Sequence, residues 1–439
     1  MKNIVILLFI VILSLGCAGN QKPEKKTEIK LYELDSSNIR TERFKNTGNL
    51  KGKGPVLVNT PASQLSEDQI KNLPKHGIWE EYAEKENVST NVKYSVLESK
   101  GEYKNGNREG LWKYFYEDKK LFKEVNYSNG KKNGLEKKFT GNGDLIKQAS
   151  YIDDLLQGEY WEKSQKGILE NEGEYTAGQK AGTWKEYYPE TGNLKSIANY
   201  SNDKKNGNFV HYYEDGKTQM AVGKYSNDLE TGHWQYFYKN GNVQSEGDYK
   251  PRNSDFQDEQ KDTPMAKISP KAIKVGTWKQ YYQSGDLFST GLREGKPMGE
   301  WKFYYKGNKL AAKGIMTNDI MMKTGETFTK DGLMDKKGNF IHSIIKIDQE
   351  KDEFSMDYKP SAPFIYFRDG KKHLEITTRK IGGKNVAYEY DENESKIGEG
   401  PYEAMIGKKN GCWTSKGEKV YYVLGKVRKG VMAKAANCE

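Results

Sequence analysis

The sequence predicts an all-β protein, an elongated single-layer antiparallel sheet made of stacked β-hairpin repeats. Three observations lead to this prediction: glycines recur at a fixed spacing, an aromatic run follows each of them, and a turn separates that run from a second apolar run. The glycines stand at positions 110, 134, 158, 182, 207 and 232, about 24 residues apart. A period in this range indicates stacked units that are each too small to fold alone.

Each unit is predicted to be a hairpin from its residue types. In the unit that opens at Gly182, Trp184, Tyr187 and Tyr188 form the aromatic run, and such rings suit a half-buried pleated surface. Turns of the Asn-Gly and Asp-Gly kind supply the positive φ angles that tight hairpins need. The second run, from Leu194, carries a small residue and a closing Tyr. Two strands and two turns fill the unit and leave little room for a helix.

The repeated sequence motif resembles the MORN repeat, and most closely its bacterial variant. The shared pattern is Gly-x-Trp-x-x-Tyr/Phe-Tyr, then Gly-x-Leu and a closing Tyr, over roughly residues 77–325. The unit at Gly77 is stretched, and Glu136 and Tyr160 stand where Trp is usual. The resemblance implies a surface for protein–protein or membrane contact, and it names no partner.

Residues 1–16 are predicted to be a lipoprotein signal peptide. After Lys2, the apolar stretch 4–13 is too short and wrongly flanked for a membrane-spanning helix. Leu13-Ser14-Leu15-Gly16-Cys17 then resembles a relaxed lipobox, with cleavage before Cys17 and acylation of its thiol. An ordinary secretory peptide with a chance Cys is the alternative. Acylated Cys17 would anchor the protein to a membrane of the bacterial cell envelope, at the outer membrane or the periplasmic face.

The rest of the chain divides into three further segments. Residues 17–63 are predicted to be a tether and an irregular lead-in, because they are polar and rich in Lys and Asn. Residues 64–325 form the repeat array, with a disordered insertion at 251–272. A capping box, Ser66 to Gln69, predicts a short helix over residues 67–73 that covers the first edge strand.

Residues 326–439 are predicted to be a degenerate β region that ends in a terminal repeat. Residues 407–411 have the same sequence as residues 130–134, Gly-Lys-Lys-Asn-Gly, and Trp413 follows Gly411 at the spacing usual in the repeats. Cys412 and Cys438 both belong to this exported terminal unit, and a disulfide between them is predicted. Two unpaired thiols are the alternative, since sequence does not fix the geometry.

Composition and motifs exclude several functions. The formal net charge is +10, but Lys and Glu alternate without a dense basic tract, so a solvated surface is favoured over nucleic-acid binding. No phosphate loop, nucleophile elbow or zinc-protease motif is present. We therefore predict no enzymatic activity, no metal and no cofactor. The histidines lack metal-ligand spacing; they are His76, His211, His233, His342 and His373.

Two sets of rings are the candidate site residues. The tryptophans are predicted to form the repeat core: Trp112, Trp184, Trp234, Trp278 and Trp301. Since a single sheet cannot bury both faces, four tyrosines are predicted to form a half-exposed binding face: Tyr188, Tyr238, Tyr282 and Tyr305. Replacing two of these tyrosines with Ser is predicted to abolish association and leave the sheet folded.

The predicted function is a membrane-anchored scaffold that binds a protein partner, a second copy of itself or a membrane. The alternative is a carbohydrate or cell-wall binder, because aromatic repeats that bind glycans also stack Trp and Tyr hairpins. An antitoxin or immunity protein is a third possibility, and the signal segment argues against a cytoplasmic antitoxin.

Overall fold

The computed structural model describes residues 30–251, 272–316, 322–348, 351, 353–381, 383–403, 408–409, 411–415, 418–423 and 426–428. These residues confirm the all-β class, because strands account for nearly all of the regular structure. The chain divides into two compact units, residues 1–131 and 132–439. In each unit the strands pair antiparallel in chain order, as expected for consecutive hairpins.

The described part of the first unit, residues 30–131, contains seven strands and a short helix, and each strand pairs with the next one along the chain. A 3-10 turn, Ala62–Gln64, precedes the helix. The elements are β1 (Tyr32–Leu34), β2 (Ile39–Arg43), β3 (Leu50–Pro55), α1 (Glu67–Asn72), β4 (Gly77–Glu86), β5 (Lys93–Lys104), β6 (Asn107–Phe115) and β7 (Leu121–Ser128).

The second unit continues the hairpin pattern, and β8 to β27 pair each with the next. The strand β27 also pairs with β28 and β29, and β29, β30 and β31 follow in order. The strands are β8 (Lys131–Phe139), β9 (Leu145–Ile152), β10 (Leu155–Lys163), β11 (Leu169–Thr176), β12 (Gln179–Tyr187), β13 (Leu194–Ser201), β14 (Lys204–Tyr212), β15 (Gln219–Ser226), β16 (Leu229–Phe237), β17 (Val243–Pro251), β18 (Ala272–Tyr281), β19 (Leu287–Glu294), β20 (Lys296–Tyr305), β21 (Lys309–Met316), β22 (Met322–Phe328), β23 (Met334–Asp348), β24 (Glu353–Arg368), β25 (Lys371–Ile381), β26 (Lys384–Tyr390), β27 (Lys396–Glu403), β28 (Lys408–Lys409), β29 (Gly411–Ser415), β30 (Glu418–Val423) and β31 (Lys426–Arg428).

The lead-in before the repeats is more ordered than the sequence predicts. Three strands, β1 to β3, extend the sheet beyond β4, and an irregular stretch was expected there. The Arg40 guanidinium donates to the carbonyls of Ile70 and Leu73 at 3.0 and 2.8 Å, and it pairs with Glu42 at 2.8 Å. These bonds tie β2 to the end of α1. The order arises from such long-range contacts, which composition does not reveal.

The short helix occurs where the sequence predicts it, over Glu67–Asn72. Both hydrogen bonds of the capping box between Ser66 and Gln69 are present. The Glu67 carboxylate accepts from the backbone N–H groups of Leu31 and Tyr32 at 2.7 and 3.0 Å. The helix therefore lies against the start of β1 and satisfies two N–H groups there, which limits an exposed sheet edge.

The core of each unit is a series of tryptophans that pack on glycines of the preceding strand. An ideal Cβ on Gly173 would lie 2.4 Å from Cδ2 of Trp184, and the Trp184 indole N–H donates to the Glu174 carbonyl at 3.0 Å. All five predicted core tryptophans are buried. The same packing pairs Trp112 with Gly101, Trp234 with Gly223, Trp278 with Gly247, Trp301 with Gly291, and Trp413 with Gly400.

In two repeats that lack the tryptophan, a smaller ring takes its place and alanine replaces the glycine on the preceding strand. Tyr160 lies opposite Ala149, and Phe209 lies opposite Ala198. The sizes of the two partners therefore compensate, as close packing requires.

In the repeat that carries Glu136 at the tryptophan position, an ion pair holds the carboxylate. The buried Glu136 carboxylate lies 2.6 Å from Nζ of Lys132. In other repeats the cation at the offset of Lys132 lies over the core ring, as Lys180 does over Trp184 at 4.0 Å. The lysine that covers a ring elsewhere thus neutralises the carboxylate here.

Three predicted features fall wholly or partly outside the described residues. Most of the insertion, residues 252–271, is not described, but β17 pairs with β18 on either side of it, so the repeat continues. Cys412 is disulfide-bonded, while Cys438 lies outside the described residues, so the predicted pairing stays a prediction. The signal segment and Cys17 lie outside them as well.

Candidate functional site

The second unit has two faces with different chemistry. One face, the tryptophan face, carries Trp184 and the other core rings. The opposite face, named the open face here, carries Lys185 and Tyr187, because successive side chains of a strand point to opposite sides. The Lys185 ammonium and the Tyr187 hydroxyl both donate to Oε1 of Glu172 on β11, at 2.7 and 2.8 Å. These contacts place the three side chains on one face.

A continuous row of side chains crosses the open face from β11 to β18. Each member lies directly opposite the next one in the antiparallel register, so all of them point to the same side. We call this set the central row: Glu172, Lys185, Ile197, Val210, Val222, Gln235, Glu246 and Lys279. Its middle is aliphatic and both of its ends are charged.

A second apolar row runs beside the middle of the central row. It consists of residues at strand ends, where Tyr187 pairs with Leu194 and Phe237 pairs with Val243. Together with the aliphatic middle, these rings and aliphatic side chains form an apolar patch in which every residue is half-buried. The apolar patch comprises Tyr187, Leu194, Ile197, Val210, Tyr212, Val222, Phe237 and Val243.

Two matching polar clusters flank the apolar patch. The first consists of Glu172 and Lys185, and the hydroxyl of Tyr187, at the edge of the patch, donates to this Glu172. The hydrogen bond that Lys185 donates lowers the pKa of Glu172, and partial burial opposes this shift. The hydrogen bond from the Tyr187 hydroxyl lowers the pKa of Glu172 further. Burial, followed by the bond to Glu172, raises the pKa of Tyr187 to about 12. The carboxylate is therefore ionised and the phenol neutral at neutral pH.

The second cluster repeats this chemistry on the other side of the patch. The Tyr281 hydroxyl donates to Oε1 of Glu246 at 2.7 Å, and Nζ of Lys279 lies 3.4 Å from the same oxygen. The Tyr281 bond is the main cause that lowers the pKa of Glu246. The Gln235 amide donates to the other carboxylate oxygen at 3.0 Å. Each flank of the patch thus carries a Glu–Lys pair in a fixed position.

The four tyrosines predicted as a binding face connect neighbouring repeats by hydrogen bonds, and two of them are buried. Tyr282 is fully buried and Tyr238 is 8% exposed, while Tyr188 and Tyr305 are half-buried. The predicted half-exposure is therefore wrong for Tyr238 and Tyr282. Their rings pack within the repeats, as that of Tyr282 does on Phe288 at 5.3 Å between centroids.

Each of these tyrosine hydroxyls donates to a backbone carbonyl of the following repeat. The donor–acceptor distances lie between 2.7 and 2.9 Å, and Tyr213, which was not among the predicted residues, makes the same bond. The pairs are Tyr188 to Tyr212, Tyr213 to Phe237, Tyr238 to Tyr281, Tyr282 to Tyr304 and Tyr305 to Phe328. The ladder joins neighbouring repeats, so its members serve the fold.

The apolar patch is not evident from the repeat pattern, in which the rings are the best-repeated side chains. Its members are less regular: Val210 and Ile197 hold positions that Lys or Glu hold in other repeats. A usable signal existed in the strand alternation. The residue that follows each core ring, as Lys185 follows Trp184, belongs to the opposite face, and it is apolar only in part of the array.

Two further features, a metal-binding cluster and a membrane-spanning helix, are absent from the described residues. Within the described residues, no group of three or more His, Cys, Asp or Glu side chains could hold a metal ion. Among those same residues, no helix combines the length and the apolarity needed to cross a membrane.

Four segments of the chain match the family model described as the MORN repeat variant: residues 108–129, 180–202, 230–250 and 274–292. A search of curated proteins found no match. The segments coincide with hairpins whose buried tryptophan packs on a glycine of the preceding strand. MORN repeats are interaction motifs that contact proteins or membranes. These four segments of the chain are therefore similar to repeats of the MORN variant type.

Proposed function

We propose that this protein is an exported, lipid-anchored scaffold whose apolar patch binds a protein partner. The observation that carries the proposal is the patch itself, eight half-buried apolar side chains on one face of a sheet. Contiguous apolar surface of this kind marks an interaction site on a soluble protein. The backbone groups of these strands are already paired in the sheet, so a partner must bind through side chains on its own face.

A protein partner fits the open face better than a glycan does. Seven of the eight tryptophans are buried, so their faces are not free to stack on sugar rings. Trp161 is half-buried, and the Lys163 ammonium lies 5.2 Å from its ring centroid. The aliphatic centre of the patch, around Val210 and Val222, offers few hydrogen-bonding groups for a glycan. We therefore assign the patch to protein contact.

Site-specific photo-cross-linking in intact cells tests this proposal. A photoreactive amino acid at Val222 is expected to give a covalent protein adduct, because that side chain lies at the centre of the patch. The matched control is the same probe at Lys302, which is exposed on the same face but lies two strands beyond the central row. Equal adduct yields from the two positions would remove the support for a specific surface.

The anchor of the scaffold is proposed to be Cys17. The motif at residues 13–17 supports it, and a multiply acylated cysteine buries enough methylene groups to hold a protein on a membrane. Replacing Cys17 with Ala is expected to move the protein from the detergent phase to the aqueous phase in a phase-partition assay. Retention of the variant in the detergent phase would contradict the lipid anchor. The location of the protein at the bacterial cell envelope follows from the same proposal.

A further inference from the structure

We propose that the partner bound by the apolar patch is a second copy of this chain. This inference rests on the proposed function and names its partner. The two copies pack open face to open face about a two-fold axis that runs parallel to the strands, between Val210 on β14 and Val222 on β15. Such an arrangement resembles the packing of two aligned sheets, which lie about 10 Å apart.

The order of charges along the central row supports this geometry. Val210 and Val222 are neighbours in the register, and the row continues outward from them in both directions. At the third position outward stand Lys185 on one side and Glu246 on the other. A two-fold axis between the valines exchanges the two sides, so Lys185 of one copy faces Glu246 of the other.

The next position outward is complementary as well. It holds Glu172 on one side and Lys279 on the other. In the dimer, Glu172 of one copy faces Lys279 of the other, beside the contact of Lys185 with Glu246. Each flank then contains two carboxylates and two ammonium groups in alternation, so every charge has an opposite charge both within its own chain and across the interface. Complementary charges of this kind fix the register of an interface.

The other face-to-face arrangement is disfavoured by the same residues. A two-fold axis that runs across the strands, along the central row, would set each member of the row against itself. Lys185 would then face Lys185, and Glu246 would face Glu246. Like charges brought together in an interface oppose association. The charge order therefore selects the axis that lies along the strands.

The apolar row beside the central row is also matched by this axis. Rotation sets Leu194 against Phe237 and Tyr187 against Val243, and it sets Tyr212 against Gln219. Six of the eight apolar side chains of the patch are thereby covered by apolar side chains of the other copy, while Ile197 and Tyr212 face Gln235 and Gln219. Burial of such surface is the main favourable contribution to association.

The size of the surface is sufficient for a dimer. Eight strands about 4.8 Å apart span roughly 38 Å. Two rows about 7 Å apart, with their flanks, give the surface a width of roughly 18 Å. The product is roughly 700 Å² per copy, close to the ~800 Å² per partner of a standard protein interface.

A charge-exchange experiment tests the dimer. The full-length chain carrying Cys17→Ala, so that no lipid drives association, is studied by sedimentation equilibrium. The chain is expected to be dimeric at micromolar concentration. Lys185→Glu and Glu246→Lys should each weaken the homodimer at least tenfold, because each creates two like-charge contacts across the axis. Lys302→Glu, on the same face outside the central row, should leave the association unchanged.

Mixing the two variants separates the interface from effects within one chain. A heterodimer of Lys185→Glu with Glu246→Lys has opposite charges at both contacts, so the equimolar mixture should recover the wild-type dimer. If the two substitutions acted only by breaking ion pairs within each chain, the mixture would not recover the wild-type association. Failure of the mixture to dimerise, or a wild-type chain that is monomeric, would overturn the proposal.

The cross-linking result distinguishes this failure from that of the proposed function. A monomeric chain whose Val222 probe captures a different protein would overturn the dimer and leave the protein-binding surface standing. An adduct from Val222 to residues 252–271 of its own chain would overturn both.

Discussion

Replacing Gly173 with Ala is expected to lower the free energy of unfolding of the second unit by about 3 kcal/mol. The added Cβ would lie 2.4 Å from Cδ2 of Trp184, well inside van der Waals contact. The indole cannot withdraw easily, because its N–H donates to the Glu174 carbonyl at 3.0 Å and Lys180 covers its ring at 4.0 Å. The edge of Tyr175 closes a further side, with 5.0 Å between the ring centroids. The chain must therefore shift its backbone or lose this packing.

A second substitution should recover much of that loss. Trp184→Phe in the Gly173→Ala background recreates the pair of Ala198 with Phe209, which the chain already uses two strands further on. Because the smaller ring leaves room for the methyl group, we expect the double variant to be about 2 kcal/mol more stable than the sum of the single effects. Urea unfolding followed by circular dichroism measures these differences.

The control for this pair of substitutions is Gly141→Ala. A Cβ added at Gly141 meets no heavy atom within 4 Å, and the residue has no positive φ. Its effect on unfolding should therefore be small. Strictly additive effects at Gly173 and Trp184 would show that the two residues do not compensate each other in size.

The hairpin array and its core could be predicted because their signals are local. Each unit contains its own turn, such as the Asn-Gly turn at residues 240–241, and its own aromatic run within about 24 residues. The helix at Glu67–Asn72 was equally predictable, since both partners of its capping box stand three residues apart. Trp184 could be assigned to the core from its repetition alone.

The features that the sequence did not reveal depend on contacts between distant residues. The order of β1 to β3 relies on Arg40, whose guanidinium reaches the carbonyls of Ile70 and Leu73, which lie 30 and 33 residues away in sequence. Tyr238 and Tyr282 looked like surplus rings, because counting faces does not show that a hydroxyl reaches the backbone of the following repeat. The charge order of the central row likewise becomes visible only once the register of eight strands is known.

Replacing Tyr282 with Ser is expected to destabilise the second unit by about 3–5 kcal/mol, the range found when a buried aromatic side chain is truncated. The ring is fully buried and packs on Phe288, so its removal leaves a cavity in the core. The substitution also removes the hydrogen bond to the Tyr304 carbonyl at 2.7 Å, which ties one repeat to the next. This expectation replaces the one drawn from the sequence, in which a tyrosine pair could be lost without unfolding.

Two further variants separate the ring of Tyr282 from its hydroxyl. Tyr282→Phe keeps the ring and loses only the bond, so a cost of about 1 kcal/mol is expected. Tyr188→Ser is the matched control, because Tyr188 holds the same repeat position and makes the same type of bond but is only half-buried. Its cost should be clearly smaller than that of Tyr282→Ser, as measured by urea unfolding. If Tyr282→Ser unfolds no more readily than Tyr188→Ser, burial does not set the cost, and Tyr282 returns to the list of candidate binding residues.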